Sequence, residues 1–148
     1  MGAVKVEIAT TLTPAIVDAV VGLSAQLSRS AAPPTTEELG ELVASPATDL
    51  FIAIDDGTII GMSTLVTFRI PTGLRAWIED VVVDEAGRGK GVGLALTEAM
   101  VARAEEMGCR TVDLTSRPAR AAANALYLKA GFVVRDTNVY RYEFDDED

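Results

Sequence analysis

Histidine is missing altogether from this chain of 148 residues, and cysteine occurs once, as Cys109. Without histidine there is no Ser-His-Asp or Cys-His catalytic pairing, and the commonest transition-metal ligand is gone. One cysteine excludes an internal disulfide and a cysteine-rich metal site. A general base must therefore be a carboxylate, a lysine, a tyrosine or a water, and no metal is expected. Basic residues are also in short supply: 13 Lys and Arg stand against 22 Asp and Glu, a formal net charge of -9. A nucleic-acid partner is not expected, because binding a phosphate backbone needs a basic surface. No apolar run approaches the roughly 20 residues of a membrane span. The opening MGAVKVEIA has neither the layout of a signal peptide nor a Ser or Thr at the sixth position for myristoylation, where Val6 stands. The expectation is a soluble, cytoplasmic protein with no membrane partner.

What the chain does have is apolar material, 49% of its residues, enough for the core of a single domain at this length. That domain is expected over residues 1–144, with the acidic end DDED at 145–148 as a frayed, disordered tail. Alternation predicts a strand over Val4 to Ile8. Thr13-Pro14 reads as an N-cap followed by Pro in the first helical turn, opening a helix to about Ser28 with Ile16, Val20, Leu23 and Leu27 on one face. Thr35 and Glu38 form a candidate capping box for a helix through about Val43. DLFIAIDDGTIIGMSTLVTF reads as a hairpin turning at Asp56-Gly57. A loop from Arg69 to Arg75 leads to a strand over Ala76 to Val83. Val92 to Met107 has helical spacing, with Leu96, Met100, Ala104 and Met107 on one face and Gly108 to end it. A strand over Thr111 to Thr115, a helix over Ala119 to Lys129 closed by Gly131, and two last strands, Phe132 to Val134 and Val139 to Tyr142, complete the pattern.

The stretch DEAGRGKGVGLAL, Asp84 to Leu96, sits where a strand becomes a helix. The leading N–H groups of a helix lack intrahelical partners, and the dipole adds positive charge there. Glycine lets backbone approach a ligand closely. With Arg88 and Lys90 alongside, the turn is an anion site, most naturally for phosphate. A Walker A loop fails, because Gly89-Lys90 is followed by Gly91 rather than Ser or Thr, and Asp84 occupies the first glycine position. A dinucleotide fingerprint fails as well, since Gly89, Gly91 and Gly93 give G-x-G-x-G.

Arg88-x-x-Gly91-x-Gly93 does resemble the pyrophosphate motif of the GNAT superfamily of N-acetyltransferases, R/Q-x-x-G-x-G/A after a central strand. WIEDVVVDEAGRGKGVGLAL resembles that family's fourth strand, loop and helix, and NALYLKAGF (Asn124 to Phe132) its later L-Y-x-K-x-G-F motif. The first half of the chain matches by element order alone. The resemblance implies an α/β fold of α+β type: a mixed, twisted sheet of six or seven strands flanked by about four helices, with the fourth and fifth strands splayed around the cofactor. It implies acetyl transfer from acetyl-CoA (coenzyme A) to a primary amine by direct attack, through a tetrahedral intermediate. A non-catalytic acyl-CoA-binding or sensing domain is the alternative.

Such chemistry needs a base for the ammonium, a donor for the oxyanion and a proton for the leaving thiolate. Glu79 is the first choice for the base, with Asp80 and a water relay as alternatives, because two adjacent carboxylates in an apolar strand are costly unless used. Strand alternation places Trp77, Glu79, Val81 and Val83 on one face and Ile78, Asp80 and Val82 on the other. The resemblance implies that the backbone of Val81, Val82 and Val83 lies beside the pantetheine arm. It also implies that Arg88, Gly89, Lys90, Gly91, Val92 and Gly93 hold the pyrophosphate, and that Tyr127 faces the thioester sulfur as acid. Ser116, Asn124 and Lys129, with Arg120, are further candidate contacts to the cofactor. Cys109 reads as a small buried hydrophobe. The acceptor is a small-molecule or peptide amine, and a homodimer through the last strands is a candidate assembly.

Overall fold

The structure is a computed structural model that describes residues 4–28 and 30–144. The expected acidic tail, 145–148, lies outside the described residues.

One sheet organises the chain, with β1 (Lys5–Ile8), β2 (Thr48–Asp55), β3 (Thr58–Ile70), β4 (Gly73–Val83) and β5 (Thr111–Asp113) side by side in that order. The first four strands run antiparallel, and β5 joins β4 in parallel. The Asp56-Gly57 turn forms as its sequence predicts, with φ of 49° and 79° at the two residues, the left-handed pair that a two-residue hairpin needs. The loop expected from Arg69 to Arg75 is shorter than that reading. β3 runs to Ile70, β4 starts at Gly73, and Pro71-Thr72 alone make the turn.

Helices cover both faces. On one side α1 (Pro14–Leu27) and α2 (Thr36–Ala44) bury Ile16, Val20, Leu23 and Leu39 against Leu50, Ile52, Met62 and Val82. Their N-termini are capped as expected. Thr13 Oγ1 accepts from the Ile16 N–H at 3.2 Å, and Thr35 and Glu38 make a reciprocal capping box. On the other side α3 (Val92–Glu106) lays Val92, Leu96, Met100 and Ala104 on Phe51, Ala53, Leu65, Ala76 and Ile78. Gly108, at φ 85°, ends α3, and the Cys109 N–H returns to the Ala104 carbonyl at 2.9 Å, the long return bond of a glycine-terminated helix. The last helix, α4 (Ala121–Lys129), starts two residues later than expected, lies beside α3 and has no fully buried residue.

Five strands form rather than six or seven. Phe132 to Val134 and Val139 to Tyr142 carry a strand's pattern but pair with nothing among the described residues. The Phe132 N–H bonds the Tyr127 carbonyl at 3.0 Å, and beyond it, among the described residues, no backbone hydrogen bond ties residues 133–144 to the sheet. Alternation describes which way side chains point, whereas a strand also needs a ladder to satisfy its N–H and C=O groups.

Candidate active site

The site begins with an interruption in β4. Thr64 of β3 pairs with Glu79 and Met62 pairs with Val82, so Asp80 and Val81 together oppose Ser63 alone. This is a β-bulge, in which one residue leaves the ladder and the pleat reverses. Asp80 takes φ 51°, a left-handed conformation that Asp tolerates and β-branched residues do not. The consequence corrects the simple alternation expected of this strand. Ala76 and Ile78 face α3 before the bulge, but Val81 and Val83 pack on that same side after it, and Val82 turns to the α1 side. Trp77 and Glu79 share a face as expected, joined by a Trp77 Nε1–H bond to Glu79 Oε1 at 2.7 Å.

β4 also parts from β5 just before the bulge. The parallel pairing covers Arg75, Ala76 and Trp77 against Thr111, Val112 and Asp113, and then stops. The strands diverge as the resemblance implies, and a cleft of about 150 Å³ opens between them, lined by Ile78, Glu79, Asp80 and Val81 on one side and Leu114, Thr115, Arg120 and Tyr127 on the other, with Leu27 of α1 over it. Loss of hydration pushes the Asp80 carboxyl above its ordinary value, and the adjacent Glu79 charge adds to the shift. Burial likewise raises the Tyr127 phenol, partly offset by Arg120, so it keeps its proton at neutral pH. An elevated carboxyl and a protonated phenol in one cleft are two groups with separated affinities for a proton, a pairing that acid–base chemistry can use.

At the end of β4 the chain makes a short 3₁₀ turn, Glu85–Gly87, before α3. Asp84 caps that turn through Ala86 N–H and accepts a 2.8 Å bond from Gln26 Nε2 at the end of α1; the Gln26 bond is the main reason its carboxyl falls below the usual range. Gly91 is the N-cap of α3 at φ 74°, and no side chain caps the helix. A Cβ on Gly89 or Gly91 would meet open space, so both glycines leave room for a ligand beside the turn, while the Arg88 and Lys90 N–H groups bond the Glu85 and Gly87 carbonyls. Gly93 serves packing instead, since a Cβ there would lie 2.9 Å from Leu126 Cδ1 of α4. Arg88 makes no ion pair among the described residues, whereas Lys90 Nζ sits 2.9 Å from Asp55 Oδ2 of β2. The free helix end, the two glycines and Arg88 fit a diphosphate; Lys90 is held toward the β2–β3 turn.

The remaining candidates divide. Tyr127 reaches the cleft and packs edge-on against Phe132, ring centroids 5.9 Å apart. Asn124 turns away, its Nδ2 donating to the Arg117 carbonyl at 3.0 Å, where it braces the loop before α4. The Ser116 Oγ, just past β5, is buried without a protein partner. Lys129 lies exposed in the last turn of α4. Cys109 packs on the α3 core and is not among the residues lining the cleft. Among the described residues no cluster of acidic or cysteine side chains is arranged to hold a metal ion, and no helix is long and apolar enough to cross a membrane. Sequence reasoning missed Leu27, Ile78, Leu114 and Thr115 as cleft residues. Nothing in their types marks them: the parting of β4 and β5 puts Ile78, Leu114 and Thr115 there, and Leu27 comes from the end of α1.

Comparison with known proteins gives this geometry a context. The profile of the Acetyltransferase (GNAT) family matches residues 23–132. Glucosamine 6-phosphate N-acetyltransferase 1 of Oryza sativa subsp. japonica is 32% identical over 133 residues, covering 82% of this chain and 78% of that protein. The probable glucosamine 6-phosphate N-acetyltransferase 2 of the same plant is 42% identical over 65 residues, a match spanning 44% of this chain and only 37% of that protein. Among solved structures, glucosamine-6-phosphate N-acetyltransferase from Arabidopsis thaliana superposes with a TM-score of 0.79 at 22% identity, over 97% of this chain and all of that one, which supports the fold.

Proposed function

Since the chain belongs to the acetyltransferase (GNAT) family, we propose that it transfers an acetyl group from acetyl-CoA directly to a primary amine bound in the cleft between β4 and β5. The observation that carries this reading is that the cleft and the glycine turn are both built on β4. Asp80 and Tyr127 line the cleft, and β4, which forms one wall, runs on into the open glycine turn at the N-terminus of α3. The bound thioester supplies the activated acyl group, and everything else falls to the chain. The turn from Arg88 to Gly93 holds the diphosphate on backbone N–H groups and one guanidinium. Backbone of Val81 to Val83, beyond the last β4–β5 pair, is free to bond an extended ligand as a strand would. Asp80 takes the proton from the incoming ammonium, displacing Glu79 as first choice because Glu79 is engaged by Trp77 and Asp80 has the raised affinity for a proton. Tyr127 holds a proton for the departing thiolate.

The acceptor reading follows the charges in the cleft. Glu79 and Asp80 suit an ammonium, and Arg120 on the opposite wall suits an anionic group on the same molecule. The names of the rice relatives supply a compound of that type, glucosamine 6-phosphate. The test is an acceptor screen that follows free thiol release from acetyl-CoA, with glucosamine 6-phosphate beside unphosphorylated glucosamine, other small amines and peptide amines. Turnover is expected, with the phosphorylated sugar preferred. Binding of acetyl-CoA without turnover on any amine would support an acyl-CoA-binding domain instead.

A further inference from the structure

Four residues of the glycine turn, Arg88 to Gly91, are exposed, whereas Gly87 before them and Val92 after them are buried. The front of the turn is firmly held. The Asp84 N–H bonds the Ile60 carbonyl at 2.8 Å, the Gly87 N–H bonds the Asp84 carbonyl at 2.8 Å, and a Cβ on Gly87 would lie 3.1 Å from Ile60 Cδ1. The back is held by Val92, packed in the core at the start of α3. Between these points the backbone has little to fix it. The Arg88 N–H reaches the Glu85 carbonyl at 3.2 Å, and the Lys90 N–H reaches the Gly87 carbonyl only at 3.4 Å, longer than an ordinary bond of this kind. Gly89 and Gly91 hold φ of 81° and 74°, and glycine gives up more conformational freedom on ordering than any other residue.

One side chain anchors this stretch from outside. Lys90, between the two glycines, places its Nζ 2.9 Å from Asp55 Oδ2, and among the described residues no other side-chain bond is made by the four. Asp55 is the last residue of β2, paired with Thr58 across the hairpin, so the anchor point belongs to the rigid sheet. Its side chain is only 18% exposed, and a carboxylate so shielded is costly without a partner. The pair is therefore more than two surface charges that happen to meet. It also keeps the Lys90 charge off the side where Arg88 stands unpaired.

Resting on the reading of this turn as the diphosphate site, we propose that Asp55 is a positioning residue for the cofactor: through Lys90 it fixes the glycine turn in its receiving shape before the diphosphate arrives. A turn already ordered does not lose that freedom on binding, and the affinity gains by the difference. The role assigned to Lys90 is then a tether to the sheet and not a contact to phosphate. The two roles differ in sign at Asp55. Charge alone makes a carboxylate near a polyanion unfavourable, so its removal would tighten binding and release Lys90 toward the phosphates. A tether makes the same removal weaken binding.

The test uses the full chain, first without ligand. Backbone ¹⁵N order parameters at Gly89, Lys90 and Gly91 should be near 0.85 in the wild type, as for rigid backbone, and below about 0.6 in Asp55→Ala and in Lys90→Met. Acetyl-CoA is then titrated by calorimetry. Its Kd should rise about 3- to 5-fold in either variant, the upper range for one partly exposed ion pair. The double variant should bind no worse than either single one, and Lys90→Arg, which keeps the pair, should stay near wild type. Asp55→Ala with unchanged or tighter binding overturns the proposal, and so do additive losses in the double variant. A turn that is mobile in the wild type, or as rigid in Asp55→Ala as in the wild type, overturns it too. A wild type that binds no acetyl-CoA overturns the diphosphate reading and the positioning role together, whereas binding with the wrong response at Asp55 overturns the positioning role alone.

Discussion

Replacing Asp80 with Asn separates the chemistry of the bulge from its backbone. Asn accepts a positive φ about as readily as Asp, so the φ of 51° at this position should carry no new strain, whereas Ala would add roughly 1–2 kcal/mol. The carboxyl's affinity for protons is raised by lost hydration and by Glu79. The folded state therefore keeps this proton to higher pH than the unfolded chain does. Its stabilising contribution is complete below the unfolded value near 3.9 and is lost as pH rises through the folded value. At pH 7 the charged Asp80 is thus a net cost, and Asp80→Asn should raise the melting temperature. Asp80 is only partly shielded from water, so screening limits the gain to under about 1 kcal/mol, or up to roughly 3 °C for a chain of this size. The gain should vanish near pH 3, where both carboxyls are neutral. Activity should move the opposite way. A positioned base contributes about 100- to 10,000-fold, and the open side of this one points to the lower figure, near 2.7 kcal/mol of barrier. In a thiol-release assay the wild-type kcat/KM should rise with pH through the elevated Asp80 value. Asp80→Asn should lose that limb and recover in part at alkaline pH, where the amine deprotonates unaided. Glu79→Gln should keep the limb but shift it to lower pH, because it removes the repelling charge. The reasoning is refuted if Asp80→Asn turns over normally at pH 7, or if Glu79→Gln is the variant that abolishes the limb.

Tyr127→Phe keeps the ring that packs on Phe132 and removes only the phenolic proton, so turnover should fall about 10- to 1,000-fold with acetyl-CoA binding unchanged by calorimetry. Because burial raises the phenol further, that loss should be uniform from pH 7 to 9; a pH-dependent loss would point to another acid. Acetyl-CoA at a hundred times its Kd should stabilise the protein by about 2.7 kcal/mol. Arg88→Glu with Gly91→Asp should abolish the thermal shift while the variant still melts cooperatively, and an unchanged shift would remove the turn as the diphosphate site. Ser63 is fully buried opposite the bulge with no protein partner for its hydroxyl, so Ser63→Ala should be neutral or stabilising by about 1 kcal/mol in urea denaturation. A clear destabilisation would mean that the hydroxyl is hydrogen-bonded to something in solution.

The legible part of this protein was the part whose cause is local. Caps at Thr13 and Thr35, the Asp56-Gly57 turn, the buried stripe of Leu96, Met100 and Ala104, and the glycine turn before α3 each rest on interactions within a few residues. The site was legible to the extent that it reuses such a feature. What escaped were decisions made between strands. The bulge at Asp80 depends on Ser63, 17 positions earlier, meeting two residues of β4, and no local pattern reports that. The same holds for Lys90, which the sequence allots to the anion and the fold ties to Asp55. It holds again for the arm beyond Gly131, where period-two alternation stated a strand without saying which edge would receive it.

The bulge bears on how β4 serves a site at all. A regular strand ending in Glu-Asp-Val-Val-Val would place one carboxylate on each face, and each would compete with a helix for the core. The bulge resolves this on one face by setting Asp80 outside the ladder, so that Ile78 and Val81 both face α3 and the core under that helix loses no apolar position to a charge. It also lies just beyond the last of the three β4–β5 pairs, Trp77 with Asp113, and the cleft opens beside the displaced carboxylate. A valine at this position would resist the left-handed backbone, and a glycine would adopt it without offering a proton acceptor. Aspartate meets both demands, at the cost of keeping a charge partly stripped of water beside a second one. That cost is also what raises its proton affinity above the ordinary carboxylate value.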